Sequence, residues 1–128
     1  MAEASYPDDL KYHSEHDWAR IDGDTATLGI TWYAQDQLGE VVFFDPPAVG
    51  TTIAKDSPYA EVESVKAVSD VIAPLSGEIV EVNEALKDTP EQINEDSYGE
   101  GWLVKIKLSD PSEADSLMDA ESYRSSLS

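Results

Sequence analysis

The run Tyr59-Ala60-Glu61-Val62-Glu63-Ser64-Val65-Lys66-Ala67-Val68-Ser69-Asp70-Val71-Ile72-Ala73, stopped by Pro74, decides the reading of this chain. Tyr59-Ala60-Glu61-Val62 alternates apolar and acidic residues, and Val68 to Ala73 is a second extended run. Two such runs with a tight connection predict a β-hairpin with Lys66 at or next to its tip. The chain holds 27 acidic residues and 8 basic ones, and Lys66 stands as a lone cation between Val65 and Ala67. A lysine on a stiff, exposed turn offers a reachable amine on a four-carbon stem, which suits acylation. Acylation leaves a neutral amide in place of the charge. On spacing alone an ordinary solvated turn lysine is the favoured reading, and a further signal is needed to reverse it.

Outward from this hairpin, short strands alternate with turn signals. Trp18 to Ile21 and Thr25 to Ile30 flank Asp22-Gly23-Asp24, a hairpin turn. Thr31 predicts a helix cap for Trp32 to Leu38, with Gly39 as the stop. Glu40 to Phe44 is a β-prone run that ends at Pro46-Pro47, since proline cannot donate to a ladder. Glu78-Ile79-Val80-Glu81-Val82 shows period-two alternation with one acidic and one apolar face. Trp102 to Leu108 is the last strand. Asp110-Pro111-Ser112-Glu113 predicts a capped helix start with a capping box, running to Met118. A second short helix is expected over Glu121 to Leu127. The expected architecture is mainly β: a flattened β-barrel sandwich with short peripheral helices and a C-terminal helix. Residues 1–10 read as a flexible lead-in and 11–128 as a single domain.

At 128 residues the chain is long enough to bury one core. Three Trp and six Tyr argue for a folded protein despite a net charge of −19. The acidic excess argues against nucleic acid, which needs clustered Lys and Arg, and against anionic membrane surfaces. Partners with basic patches are favoured instead. Without cysteine there is no disulfide, thiol nucleophile or Cys-based zinc site. The start, Met1-Ala2-Glu3-Ala4, lacks a secretory or transit pattern, and no apolar run approaches the ~18 residues of a membrane span. A cytoplasmic location is therefore expected.

Several blocks, in order, resemble the H protein family of the glycine cleavage system. They are Glu15-His16-Asp17-Trp18, Leu28-Gly29-Ile30-Thr31 with Ala34-Gln35, and Leu38-Gly39-Glu40-Val41-Val42. Then come Val62 to Asp70, Ala73-Pro74-Leu75-Ser76-Gly77-Glu78, and Ile93-Asn94 with Tyr98-Gly99-Glu100-Gly101-Trp102. The resemblance covers roughly residues 11–124. It implies a biotinyl/lipoyl-type fold and lipoic acid covalently attached to Lys66. It implies a non-enzymatic carrier, visiting a pyridoxal-phosphate glycine decarboxylase, a tetrahydrofolate-dependent aminomethyltransferase and a lipoamide dehydrogenase. A lipoylating enzyme would first load Lys66, reading residues around the hairpin: Glu63, Ser64, Val65, Ala67 and Asp70, with Glu61 as a further recognition charge. Val65 and Ala67 beside the lysine favour this family over biotin domains and over the lipoyl domains of 2-oxoacid dehydrogenases. The family's loaded arm folds back into a surface cleft, which places Glu15, Asp17 and Gln37 as its lining. The chain departs from the family pattern at Asp17, Trp32, Phe44-Asp45-Pro46 and Ser97.

Two other functions compete. One is an H-like protein that relays lipoyl groups to other lipoyl domains. The other is a small hydrolase built on paired acids. His13 and His16 lack metal-ligand spacing, so no metal site is assigned. A monomer is expected for a shuttle.

Overall fold

The computed structural model describes residues 6–127. Among these residues nine strands form two antiparallel sheets. One is ordered β1-β2-β3-β9-β8-β5, from strands Lys11–Tyr12 (β1), Asp17–Asp22 (β2), Thr25–Ile30 (β3), Val104–Leu108 (β9), Gly77–Val82 (β8) and Thr52–Ile53 (β5). The other is ordered β4-β6-β7, from Val41–Asp45 (β4), Pro58–Ser64 (β6) and Val68–Ile72 (β7). Helices Trp32–Leu38 (α1), Gln92–Glu95 (α2) and Ala120–Ser126 (α3), with 3₁₀ turns at Glu84–Lys87 and Pro111–Ser116, complete the chain.

The expected mainly β, flattened barrel is corrected by this topology. The fold is mixed α/β, and its two sheets are not closed into a barrel. Closure requires one strand bonded into both sheets. Among the described residues no ladder joins them, and β1, β5, β4 and β7 remain edges. The chain leaves β4 at Pro46-Pro47, and β5 is only two residues long where it re-enters beside β8. The sheets meet instead through side chains: Leu28 and Ile106 of one share a core with Phe44, Val62 and Val71 of the other.

Of the expected lead-in, residues 1–5 lie outside the described residues. Leu10 is buried, and Tyr6 packs edge-on against Tyr12 and Tyr123. These aromatics belong to a second cluster with Trp18 and Ala120. Within it, Trp18 lies across Gly29 in the β2–β3 ladder. A Cβ on Gly29 would sit 2.6 Å from the indole, so only glycine leaves room for the ring.

Three local features place the hairpin end. Thr31 caps α1 by accepting from the Ala34 N–H at 3.2 Å, and Gly39 ends the helix at φ 87°. Asn94 on α2 then accepts from the Val41 N–H at 2.8 Å and donates to Gln35 Oε1 and the Gly39 carbonyl, both at 2.9 Å. One amide thus fastens α2 to the end of α1 and the start of β4. Finally, the Val65 N–H donates to the Glu40 carbonyl at 3.0 Å, which ties the hairpin loop to the same junction. On the outer face of the three-stranded sheet, the register sets Asp45, Glu61 and Asp70 in one row. The next row toward the tip is Phe43, Glu63 and Val68.

Two expectations fail for reasons of side-chain chemistry. The alternation in Glu78 to Val82 slips at a bulge between Ile79 and Glu81, so that Glu78, Val80 and Glu81 face outward while Ile79 and Val82 face the core. The helix expected from Asp110 to Met118 is a 3₁₀ turn, Pro111–Ser116. Its cap forms, with Asp110 accepting from the Ser112 N–H at 3.1 Å. Glu113, however, accepts from Ser76 N–H at 2.8 Å and Ser76 Oγ at 2.9 Å, which removes it from the capping box. Met118 is then drawn into a bridge with Tyr12.

Candidate functional site

Lys66 occupies the middle of Val65-Lys66-Ala67, the loop between β6 and β7, and is exposed. Ser64 explains the loop's shape. Its backbone N–H donates to the Ala67 carbonyl at 2.8 Å. Its Oγ accepts from the N–H groups of Lys66 at 3.2 Å and Ala67 at 3.1 Å. Small polar side chains stabilise turns by such local bonds. Ser64 is buried, so its role in the structure is to hold the loop. The stem of Lys66 passes over Gly39, where a Cβ would be 3.5 Å from Cε.

Beside the loop lies a cleft of about 430 Å³ between α1, the start of β2 and the edge of β7. Of the residues expected to line an arm cleft, Glu15, Asp17 and Gln37 are all here, joined by Ala67 and Asp70 from the hairpin. Glu63, Ser64 and Val65 do not line it. Ile30, Leu38, Val62 and Val71 give the cleft an apolar wall.

Asp17 is its most unusual group. It is 1% exposed, and its Oδ2 is buried without a hydrogen-bond partner. Burial, with Glu15 adding to it, pushes its carboxyl well above the usual range. Burial without a partner disfavours the charged form, and it leaves a carboxyl that gains from any hydrogen-bonding partner brought into the cleft. The Tyr59 hydroxyl is likewise buried and unpartnered, and its ionisation is pushed up by burial and then by Asp17.

Sequence reasoning missed the part played by His16, Tyr33 and Tyr123. His16 lines the cleft at φ 74°, with its ring 4.6 Å from that of Tyr33. Its Nδ1 lies 2.8 Å from the Tyr123 hydroxyl, itself 2.9 Å from Thr31 Oγ1. No local sequence signal marks a partner 107 residues away. His13 is used elsewhere: its Nε2 lies 2.6 Å from Asp56 Oδ1, and its Nδ1 accepts from the Glu15 N–H at 3.0 Å. Asp56 is held below the usual carboxylate range, first by His13 and then by Lys55. Among the described residues, no group of three His, Asp or Glu side chains could hold a metal ion. Nor is any helix long and apolar enough to cross a membrane.

The glycine cleavage H-protein family profile matches residues 10–128. The glycine cleavage system H protein of Symbiobacterium thermophilum is 52% identical over 120 residues, spanning 94% of each chain. That of Vibrio campbellii is 54% identical over 119 residues, covering 92% of this chain and 94% of its own. A crystal structure of a glycine cleavage system H protein from Mycobacterium marinum superposes with a TM-score of 0.87 at 40% identity, covering 94% of this chain and 98% of that one. Fold and likeness together define a non-catalytic carrier protein. The chain belongs to the glycine cleavage H-protein family.

Proposed function

We propose that the chain carries lipoic acid in amide linkage on Lys66 and shuttles an aminomethyl group in glycine cleavage. One observation carries this reading: an exposed lysine on a braced loop stands beside a cleft that holds an unpaired, buried carboxylate. The residues present fit the group. Lys66 Nζ is open to a modifying enzyme, and the cleft is apolar along one wall and acidic at Glu15, Asp17 and Asp70. When bound, lipoic acid supplies a disulfide that accepts the aminomethyl unit and is left as a dithiol after transfer.

The chain's own residues hold and present. Ser64 and the Val65–Glu40 bond keep the post rigid, so the reach of an attached arm is set from a fixed point. Tethering makes visits to partner active sites local events at high effective concentration. Glu15 and Asp70 offer negative charge to an ammonium load, the buried Asp17 carboxyl offers it an unpaired acceptor oxygen, and Ile30, Leu38 and Val71 exclude water from it. Glu63, Val65, Ala67 and Asp70, with Ser64 shaping the turn, form the surface met by the lipoylating enzyme. The other partners in this reading are a pyridoxal-phosphate glycine decarboxylase, an aminomethyltransferase and a lipoamide dehydrogenase. Residues 11–128 act as one carrier domain, monomeric and cytoplasmic.

Intact mass tests the assignment. Coexpression with a lipoylating ligase should add one lipoyl group, and Lys66→Ala should add none. Lys66→Arg should fold normally yet fail in reconstituted glycine decarboxylation, because a guanidinium does not form the amide. Carrier activity retained in that variant would refute the assignment. Poor support of glycine decarboxylation by the lipoylated wild type would point to the relay function.

A further inference from the structure

Among the described residues, His16 is one of two residues other than glycine with positive φ, beside Asp56. This conformation is strained for an L-residue with a side chain. Two backbone bonds impose it: His16 N–H donates to the His13 carbonyl at 2.9 Å, and Thr31 N–H to the His16 carbonyl at 3.1 Å. The strained turn delivers the imidazole to the arm cleft, between Tyr33 on α1 and Tyr123 on α3.

Hydroxyl bookkeeping then fixes the ring's proton. Thr31 Oγ1 accepts from the Ala34 N–H, and its buried site offers the Tyr123 oxygen as a target for its own hydrogen. With that hydrogen given to Tyr123, the phenol hydrogen goes to His16 Nδ1, and every group in the chain has a partner. In the reverse order Nδ1–H donates to Tyr123 and Tyr123 to Thr31. The Thr31 hydrogen is then stranded in a fully buried position, an unfavourable outcome. The first order leaves the ring's proton on Nε2. Burial, the largest influence on this ring, lowers its basicity, against Glu15 and along with His13.

We infer that His16 is a binding residue of the arm cleft. As a neutral ring it presents Nε2–H to an uncharged acceptor atom of the lipoyl-lysine arm, and Tyr123 is the positioning residue that selects this tautomer. The inference rests on the lipoyl assignment to Lys66. It also accounts for the ring's neutrality. An imidazolium would compete with an ammonium load for Glu15, and a neutral donor does not.

Nitrogen-15 NMR of the imidazoles in the full chain at pH 7 provides the test. The wild type should show His16 as a single Nε2–H tautomer, and Tyr123→Phe should give a mixture. The lipoylated, reduced chain is then loaded with formaldehyde and ammonia; one thiol, one aldehyde and one ammonia give the aminomethyl thioether and water. Loading should shift the His16 Nε2 resonance. His16→Leu should shorten the load's lifetime, followed by mass, about fivefold, and His16→Gln, which keeps a donor, should restore much of it. An Nδ1–H tautomer or an imidazolium in the wild type overturns the inference, as does an unchanged tautomer in Tyr123→Phe. A chain lipoylated by mass whose Nε2 resonance ignores the load overturns it alone. A chain that takes no lipoyl group at Lys66 overturns both readings.

Discussion

Asn94→Asp isolates the brace under the hairpin end. The substitution is nearly isosteric and keeps the acceptor that takes the Val41 N–H at 2.8 Å. It replaces the amide that donates to Gln35 Oε1 and to the Gly39 carbonyl with an oxygen facing two acceptors. Two hydrogen bonds worth ~1 kcal/mol each disappear. Gln35 can turn its amide to relieve one clash only by giving up its 3.0 Å bond to the Trp32 carbonyl, and the half-buried site admits water, while the Gly39 carbonyl loses its donor. The expected loss at pH 7 is therefore about 2–3 kcal/mol, a large share of the ~5–15 kcal/mol typical of a domain. The loss should shrink on acidification. Facing two acceptors raises the new carboxyl's folded-state pKa above its unfolded value. The folded state then binds the extra proton as pH falls, and the protonated oxygen can donate again. Urea unfolding at pH 7 and pH 4 measures both effects. Hydrogen exchange of the Val41 and Val65 amides should show whether the damage reaches the loop. A midpoint within about 0.5 kcal/mol of wild type at pH 7, or a deficit that grows at low pH, would refute the reasoning.

Three further outcomes follow from the same packing and charges. Gly29→Ala places a methyl against the Trp18 ring and should cost about 1–3 kcal/mol, with a changed near-ultraviolet spectrum; a thermal midpoint equal to wild type would contradict that contact. Asp17→Asn should gain stability relative to wild type as pH rises above about 4 and should match it at pH 3. The buried acid of the wild type has a raised folded pKa, so wild-type stability falls with rising pH between the unfolded and folded values; a difference that stays flat from pH 3 to 7 would exclude this. Ser64→Ala should lose about 1 kcal/mol and speed exchange at the Lys66 and Ala67 amides, while unchanged exchange would remove Ser64 as the loop's support.

Features that depend on neighbours in sequence were legible without coordinates. Thr31 caps α1 and Gly39 ends it because both act within one helical turn. The Asp22-Gly23-Asp24 turn follows from glycine's tolerance of positive φ, here 65°. Features set by distant partners were not legible. Glu113 leaves its capping box for Ser76, 37 residues back, and the expected helix tightens to 3₁₀. Closure into a barrel failed because it depends on which edges meet, and strand patterning carries no record of that. At the site, the resemblance named Glu15, Asp17 and Gln37, and the fold brings them to one cleft. Nothing in the local pattern singled out His16, because its place there depends on backbone bonds to His13 and Thr31.

The row of Asp45, Glu61 and Asp70 has a consequence at long range. Like charges set side by side across strands oppose folding, and they also concentrate negative potential at one end of the molecule. With Glu40 and Glu63 nearby, that end becomes an electrical pole, and acylation of Lys66 would deepen it by one unit. In the field of a cationic surface such a body feels a torque that turns the hairpin forward before contact. The orienting force decays over a Debye length of ~8 Å in physiological salt, so encounter rates should fall as ionic strength rises.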